Sequence, residues 1–110
     1  MNKVRRKLIL LIVKRLNKLI CDTTEDRINI TMQELESVIS DLQDVLDEES
    51  DCMYNTPENL QGSERYKLSE EACDYMEDVI DELAGLCVDD DLDDIKTCIE
   101  ESVEQLYNIV

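Results

Sequence analysis

Four carboxylates near the C-terminal end, Asp89, Asp91, Asp93 and Glu100, stand at positions 1, 3, 5 and 12 of an EF-hand-type calcium loop, a spacing that would surround a hard cation with side-chain oxygens. The same segment then departs from that chemistry. Position 6, where such a loop needs glycine for its sharp turn, is Asp94, and the usually apolar position 8 is Lys96. Leu92, Ile95 and Ile99 also carry a helical stripe through it, so these acids are expected to open a helix rather than to hold calcium. The cysteines Cys21, Cys52, Cys73, Cys87 and Cys98 are scattered without a close ligand pair, and the chain has no histidine, so zinc lacks its ligands. Free thiols in a reducing compartment are the simplest expectation. With no histidine base, glycine-rich phosphate loop or nucleophile elbow, catalysis lacks its usual parts. A non-enzyme without cofactor or metal is expected.

What the sequence does carry is carboxylate in rows. Asp41, Asp44, Asp47, Glu48 and Asp51 recur at three- and four-residue steps, and so do Glu70, Glu71, Asp74, Glu77, Asp78, Asp81 and Glu82. On helices such steps rise roughly 4.5–6 Å, of the same order as charge separations along a DNA backbone. Rows of this kind can imitate phosphate and occupy a basic nucleic-acid groove. Their simpler use is a solvated helix face, because charge patterning specifies sign and not partner.

The elements that must position these rows are helices. Two glycines and one proline in 110 residues favour long helices over sheets, and without Phe or Trp the core must be built from Leu, Ile, Val and Met. The length allows one domain with a modest core. Residues 3–21 read as a basic amphipathic helix, with Leu8, Ile9, Ile12, Val13, Leu16, Leu19 and Ile20 on one face and Lys3, Lys7, Lys14 and Lys18 opposite. Leu10 and Leu11 flank the lysines, a sign that this helix is contacted on more than one side. Cys21–Ile30 reads as a polar connector, and Thr31-x-x-Glu34 as a capping box opening a second helix. Leu35, Val38, Ile39, Leu42, Val45 and Leu46 then repeat cleanly toward Cys52 and Met53.

Pro57 should stop that helix, with Thr56 suited to cap a restart and Gly62-Ser63 offering a further break and cap. Residues 55–66 are therefore the tip of an antiparallel hairpin. Its return helix, capped by Ser63 or Ser69, carries Ala72, Met76, Val79, Ile80 and Leu83. A break near 85–90 is expected before a last stripe of Leu92, Ile95, Ile99, Val103, Leu106 and Val110. The fold class is all-α, with hairpin helices over about 31–54 and 63–87 and the 3–21 and 90–110 helices packed against them.

Charge is distributed in blocks. The net charge is −17, yet Lys3, Arg5, Arg6, Lys7, Lys14, Arg15 and Lys18 stand in residues 1–18 without a single acid. The remaining residues hold the other four bases against all 28 acids, a balance of −24. Such a block attracts basic proteins and repels nucleic acid. The basic helix has three possible receivers: the acidic remainder of its own chain, an anionic membrane surface, or nucleic-acid phosphate. The first relieves self-repulsion without any outside partner. The Leu8–Val13 apolar run is interrupted by Lys14-Arg15, so neither a secretory leader nor a membrane span is expected.

The tip Tyr54-Asn55-Thr56-Pro57-Glu58-Asn59-Leu60-Gln61-Gly62-Ser63-Glu64-Arg65-Tyr66 resembles that of a family of small acidic proteins encoded by bacteriophages and prophages. Glu70-Glu71-Ala72 and Met76-Glu77-Asp78-Val79-Ile80-Asp81 extend the resemblance, which covers roughly residues 45–83. The tip is its specific part. The resemblance implies a helical hairpin and a phage context, in which small acidic proteins occupy the DNA-binding surfaces of host nucleases, restriction systems or CRISPR systems. It implies no particular target. The expected function is thus a non-enzymatic acidic interaction protein, in the cytoplasm of a bacterial host, that binds a basic nucleic-acid-binding protein through its acidic rows and does not bind nucleic acid directly. The alternatives are a self-associating helical module, or attachment to a membrane surface through residues 1–20. At the tip, Arg65 and Tyr66 are the candidate anchors, as rare basic and aromatic groups amid acids.

Overall fold

The computed structural model describes residues 2–110. Four helices make up most of it: α1 (Lys3–Asp22), α2 (Ile28–Tyr54), α3 (Glu64–Ala84) and α4 (Leu92–Tyr107), with 3-10 turns at Glu25–Arg27 and Glu58–Leu60. Each helix packs on its neighbours in sequence, and α1 closes the ring against α4. Short connections make successive helices antiparallel, so the chain is an up-down-up-down four-helix bundle, 53 × 22 × 19 Å.

One stripe from each helix builds the core. α1 contributes Ile9, Ile12, Val13, Leu16 and Leu19, and α2 contributes Leu35, Val38, Leu42, Val45 and Leu46. Ala72, Cys73, Met76, Val79 and Leu83 come from α3, and Ile95, Ile99, Val103 and Leu106 from α4. The three- and four-residue periodicity of the sequence is the periodicity of burial. Leu8 and Val110 are exceptions: Leu8 lies at the edge of the α1 stripe and Val110 beyond the end of α4, which runs only to Tyr107, and both are exposed.

Helix ends follow local chemistry in some places and depart from it in others. Asn2 Oδ1 accepts from the Arg5 backbone N–H at 2.9 Å and caps α1. Ser63, rather than Ser69, caps α3, its Oγ accepting from the Tyr66 N–H at 3.3 Å. Thr56 does not cap a restart. Its hydroxyl donates back to the Cys52 carbonyl at 2.9 Å and so closes α2, while Pro57 precedes the 3-10 turn. The expected capping box at Thr31–Glu34 is also absent, because α2 already begins at Ile28, straight out of the Glu25–Arg27 turn. Thr31 is a buried helix-interior residue whose hydroxyl lies 3.0 Å from that of Thr23. Thr23 Oγ1 gives its own proton to the Leu19 carbonyl, so Thr31 is the donor in the pair. This lateral bond ties the connector to α2.

The break before α4 falls where expected, at 85–91. Asp90 Oδ2 accepts from the Cys87 N–H at 2.8 Å, and Asp93 and Asp94 occupy the first turn of α4. Residues 92–107 are helical throughout, so Asp93 and Glu100 project from a helix and do not close a loop.

Candidate functional site

The acidic rows lie on the outer sides of the hairpin helices. Asp44, Asp47, Glu48 and Asp51 are exposed on α2, and Glu70, Glu71, Asp74, Glu77, Asp78, Asp81 and Glu82 on α3. α2 contains no Lys or Arg at all. Beside the α3 row lies a groove of about 490 Å3, where Glu70, Asp74 and Glu77 face Ser50, Met53 and Tyr54 of α2, with Tyr66 also in the wall. The floor includes Cys73, whose thiol contacts Ser50 and Met53. Asp51 stands in the last turn of α2, and Asp81 and Glu82 in the last turn of α3. There carboxylates oppose the helix macrodipole, so helix stability does not account for their placement.

Three members of the rows are engaged within the chain: Asp41, Glu82, and Asp47, whose Oδ1 accepts from Gln43 Nε2 of the same helix at 3.0 Å. Asp41 is held by Arg15, whose Nη1 lies 2.5 Å from its Oδ2 while Nη2 reaches Ser37 at 2.8 Å. Asp41 therefore leaves the set of open phosphate surrogates. Glu82 receives a long contact from Gln105 of α4, at 3.4 Å.

The basic helix packs inside its own molecule, on α2 and α4. Its ion pairs, however, come from arginines. Arg5 reaches Glu49 and Arg15 reaches Asp41 and Glu34, whereas Lys3, Lys7, Lys14 and Lys18 make no ion pair among the described residues. The helical register explains this: Arg5 stands in line with the buried stripe, four residues before Ile9, Arg15 flanks it, and the lysines lie on the opposite side. Val4, Leu10 and Leu11 are exposed on that outer side, with Leu8 at its edge.

Glu49 is the residue that the sequence pattern hides. It sits one step beyond Val45 and Leu46 on the buried stripe of α2, with 1% of its side chain exposed. Burial pushes its carboxyl up, but hydrogen bonds from Ser69 and from Arg5 outweigh that and hold it below the ordinary value. Its only sequence signal is an acid at a core register position. The ion pair forms part of the wall of a second, larger cavity, of about 600 Å3, at the tip end of the bundle. Arg65 and Tyr66 line the same cavity, so the structure draws both candidate anchors toward one place.

All five cysteines are free thiols, with Cys73 buried and Cys98 half-buried. Burial pushes both of these thiols up, and neighbouring acids (Glu82, Glu101 and Asp90 beside Cys98) add to the shift. No cluster of His, Cys, Asp or Glu among the described residues has the geometry to hold a metal ion. No described helix is long and apolar enough to cross a membrane. Comparison with protein-family models, with curated proteins and with solved structures yields no match.

Proposed function

We propose that this chain is a non-enzymatic acidic interaction protein, of phage or prophage origin, whose α2–α3 face occupies the nucleic-acid-binding surface of a basic protein in a bacterial host. One observation carries the reading: two neighbouring antiparallel helices each present a row of exposed carboxylates, and the one with eight acids, α2, has no base. Acids in the last turns of α2 and α3, where the macrodipole disfavours them, support selection for an acidic surface over helix stability. Asp44, Asp47 and Asp51 on α2 and Glu70, Asp74, Glu77 and Asp78 on α3 act as phosphate surrogates. The identity of the target as a defence nuclease, restriction enzyme or CRISPR component is an extension of the same proposal, resting on the resemblance of the tip.

Affinity capture from bacterial lysate tests it. The wild-type chain is expected to retain a nucleic-acid-binding protein that duplex DNA displaces. The variant Asp44→Asn/Asp47→Asn/Asp74→Asn/Asp78→Asn should retain much less. Recovery of no nucleic-acid-binding protein, or equal recovery on the variant, defeats the proposal.

A second reading, self-association through the outer side of α1, is favoured by Val4, Leu8, Leu10 and Leu11 being exposed beside unpaired lysines. Sedimentation equilibrium separates the two. A stable dimer abolished by Leu11→Glu supports self-association, and a monomer at high concentration removes it.

A further inference from the structure

We propose that the cavity at the tip end of the bundle binds a small amphiphilic anion: one carboxylate, sulfonate or phosphate group carried on an apolar or aromatic body. This goes beyond the acidic-face reading and does not depend on it. The cavity, at about 600 Å3, falls in the size range of small-molecule sites, roughly 300–1,000 Å3. Its wall combines apolar surface from Leu60, Leu68, Ala72 and Ile109 with the rings of Tyr66 and Tyr75. A mixture of apolar wall and a few convergent polar groups is what an amphiphile needs.

The sign of the ligand follows from the cations. Arg5, Arg6 and Arg65, three of the five arginines in a chain of net charge −17, converge on this cavity from two helices. Arg5 is committed to Glu49, which leaves Arg6 and Arg65 without an ion pair among the described residues. The carboxylates in the wall are Glu49, already held by Arg5 and Ser69, and the exposed Glu71. Asn2 and Ser63, the caps of α1 and α3, also line the cavity, so both helices direct their N-terminal ends toward it. Arg6 and Arg65 stand in those first turns, where a cation works against its own helix dipole. A bound anion relieves both. Guanidinium groups suit the task because they pair with carboxylate, sulfonate or phosphate oxygens in a planar, bidentate manner and also stack on aromatic rings.

The test uses 1-anilinonaphthalene-8-sulfonate, an aromatic body with one sulfonate. Fluorescence titration of the intact chain should show saturable binding at one site, displaced by decanoate and not by decanol. Arg6→Gln/Arg65→Gln should weaken the probe at least tenfold. Lys14→Gln/Lys18→Gln removes the same charge from the outer side of α1 and should leave its Kd within twofold. Leu68→Glu, at an exposed rim position, places a carboxylate in the wall without touching an arginine and should also weaken binding tenfold. If the arginine variant loses its helical circular dichroism, the Leu68→Glu result decides alone. Absence of saturable binding, or equal loss in the arginine and lysine variants, overturns the site.

Discussion

Arg5 Nε donates to Glu49 Oε2 at 2.6 Å, joining the first turn of α1 to the C-terminal part of α2 across 44 positions of sequence. The carboxylate is 1% exposed and the guanidinium side chain 12%. Removing one partner of such a pair strands the other, which typically costs about 3–5 kcal/mol, whereas replacing both by apolar groups is often neutral. Arg5→Met is therefore expected to destabilise the bundle by about 3 kcal/mol, the lower end because Ser69 still serves Glu49. The double variant Arg5→Met/Glu49→Leu should return to within about 1 kcal/mol of wild type. Urea denaturation of the four members of the cycle measures this. Additive losses would show that the two residues are not coupled.

The same carboxylate sets a pH dependence. Its folded pKa lies below the ordinary glutamate value of 4.5. As pH falls, the unfolded chain therefore takes up the proton first. The stabilisation is complete above about 4.5 and is lost as pH drops through the folded value. The many surface acids act in the opposite direction, since their mutual repulsion fades on acidification. Comparing wild type with Glu49→Gln separates the two effects. The stability gap between them at pH 7 should shrink as pH falls below about 4.5, and a gap that stays constant on acidification contradicts the assignment.

Burial also sorts the thiols. Cys21, Cys52 and Cys87 are exposed, whereas Cys73 lies in the core and Cys98 donates to the Glu82 carbonyl at 3.7 Å. The thiolate is the reacting species, and burial beside acids disfavours it at both inner positions. Three thiols are expected to react promptly with an aromatic disulfide reagent at pH 8. Cys73 and Cys98 should follow at least tenfold more slowly, until urea unfolds the bundle. Mass spectrometry of labelled peptides identifies them, and five equal rates would speak against the packing of α3 on α4.

The architecture was legible because each helix writes its buried face as an uninterrupted stripe, and because Pro57 and Ser63 act on their own neighbours in sequence. Contacts decided by other helices were not legible. Glu49 reads as one more acid of a row until Arg5 arrives from α1, and Asp41 reads as open until Arg15 takes it. The lysines and arginines of α1 are alike in charge, and only the bundle register tells which side chains reach the hairpin. The acidic rows were legible as charge. The groove beside the α3 row was not, since it depends on how α2 and α3 are set against each other.

Thr31 illustrates the same limit with a local motif. Its sequence context matches a capping box, but its hydroxyl serves Thr23 and its backbone is inside α2. Thr31→Val should then cost about 1 kcal/mol, through loss of the buried donor. Glu34→Gln, a change that a working capping box would notice, should stay within about 0.5 kcal/mol, as surface substitutions do. Thermal melts that rank the two variants the other way would restore the box.

Both glycines at chain breaks have ordinary right-handed-side backbones, because no glycine adopts a positive φ. Gly85, the C-cap of α3, has φ −79 and ψ −8. A Cβ there would meet only the Asp81 and Glu82 carbonyl oxygens, at 3.5 and 3.6 Å, which is normal van der Waals contact. At Gly62 a Cβ would meet nothing within 4 Å. Neither position needs glycine for its conformation. Alanine at a compatible site reduces the freedom of the unfolded chain and stabilises by about 0.4–1 kcal/mol. Gly62→Ala and Gly85→Ala should therefore each raise the unfolding midpoint. The two sites are at opposite ends of α3, so the double variant should show nearly the sum. Loss of stability at position 62 would mean that the tip depends on a glycine backbone; the same loss at 85 would mean that the turn into α4 does.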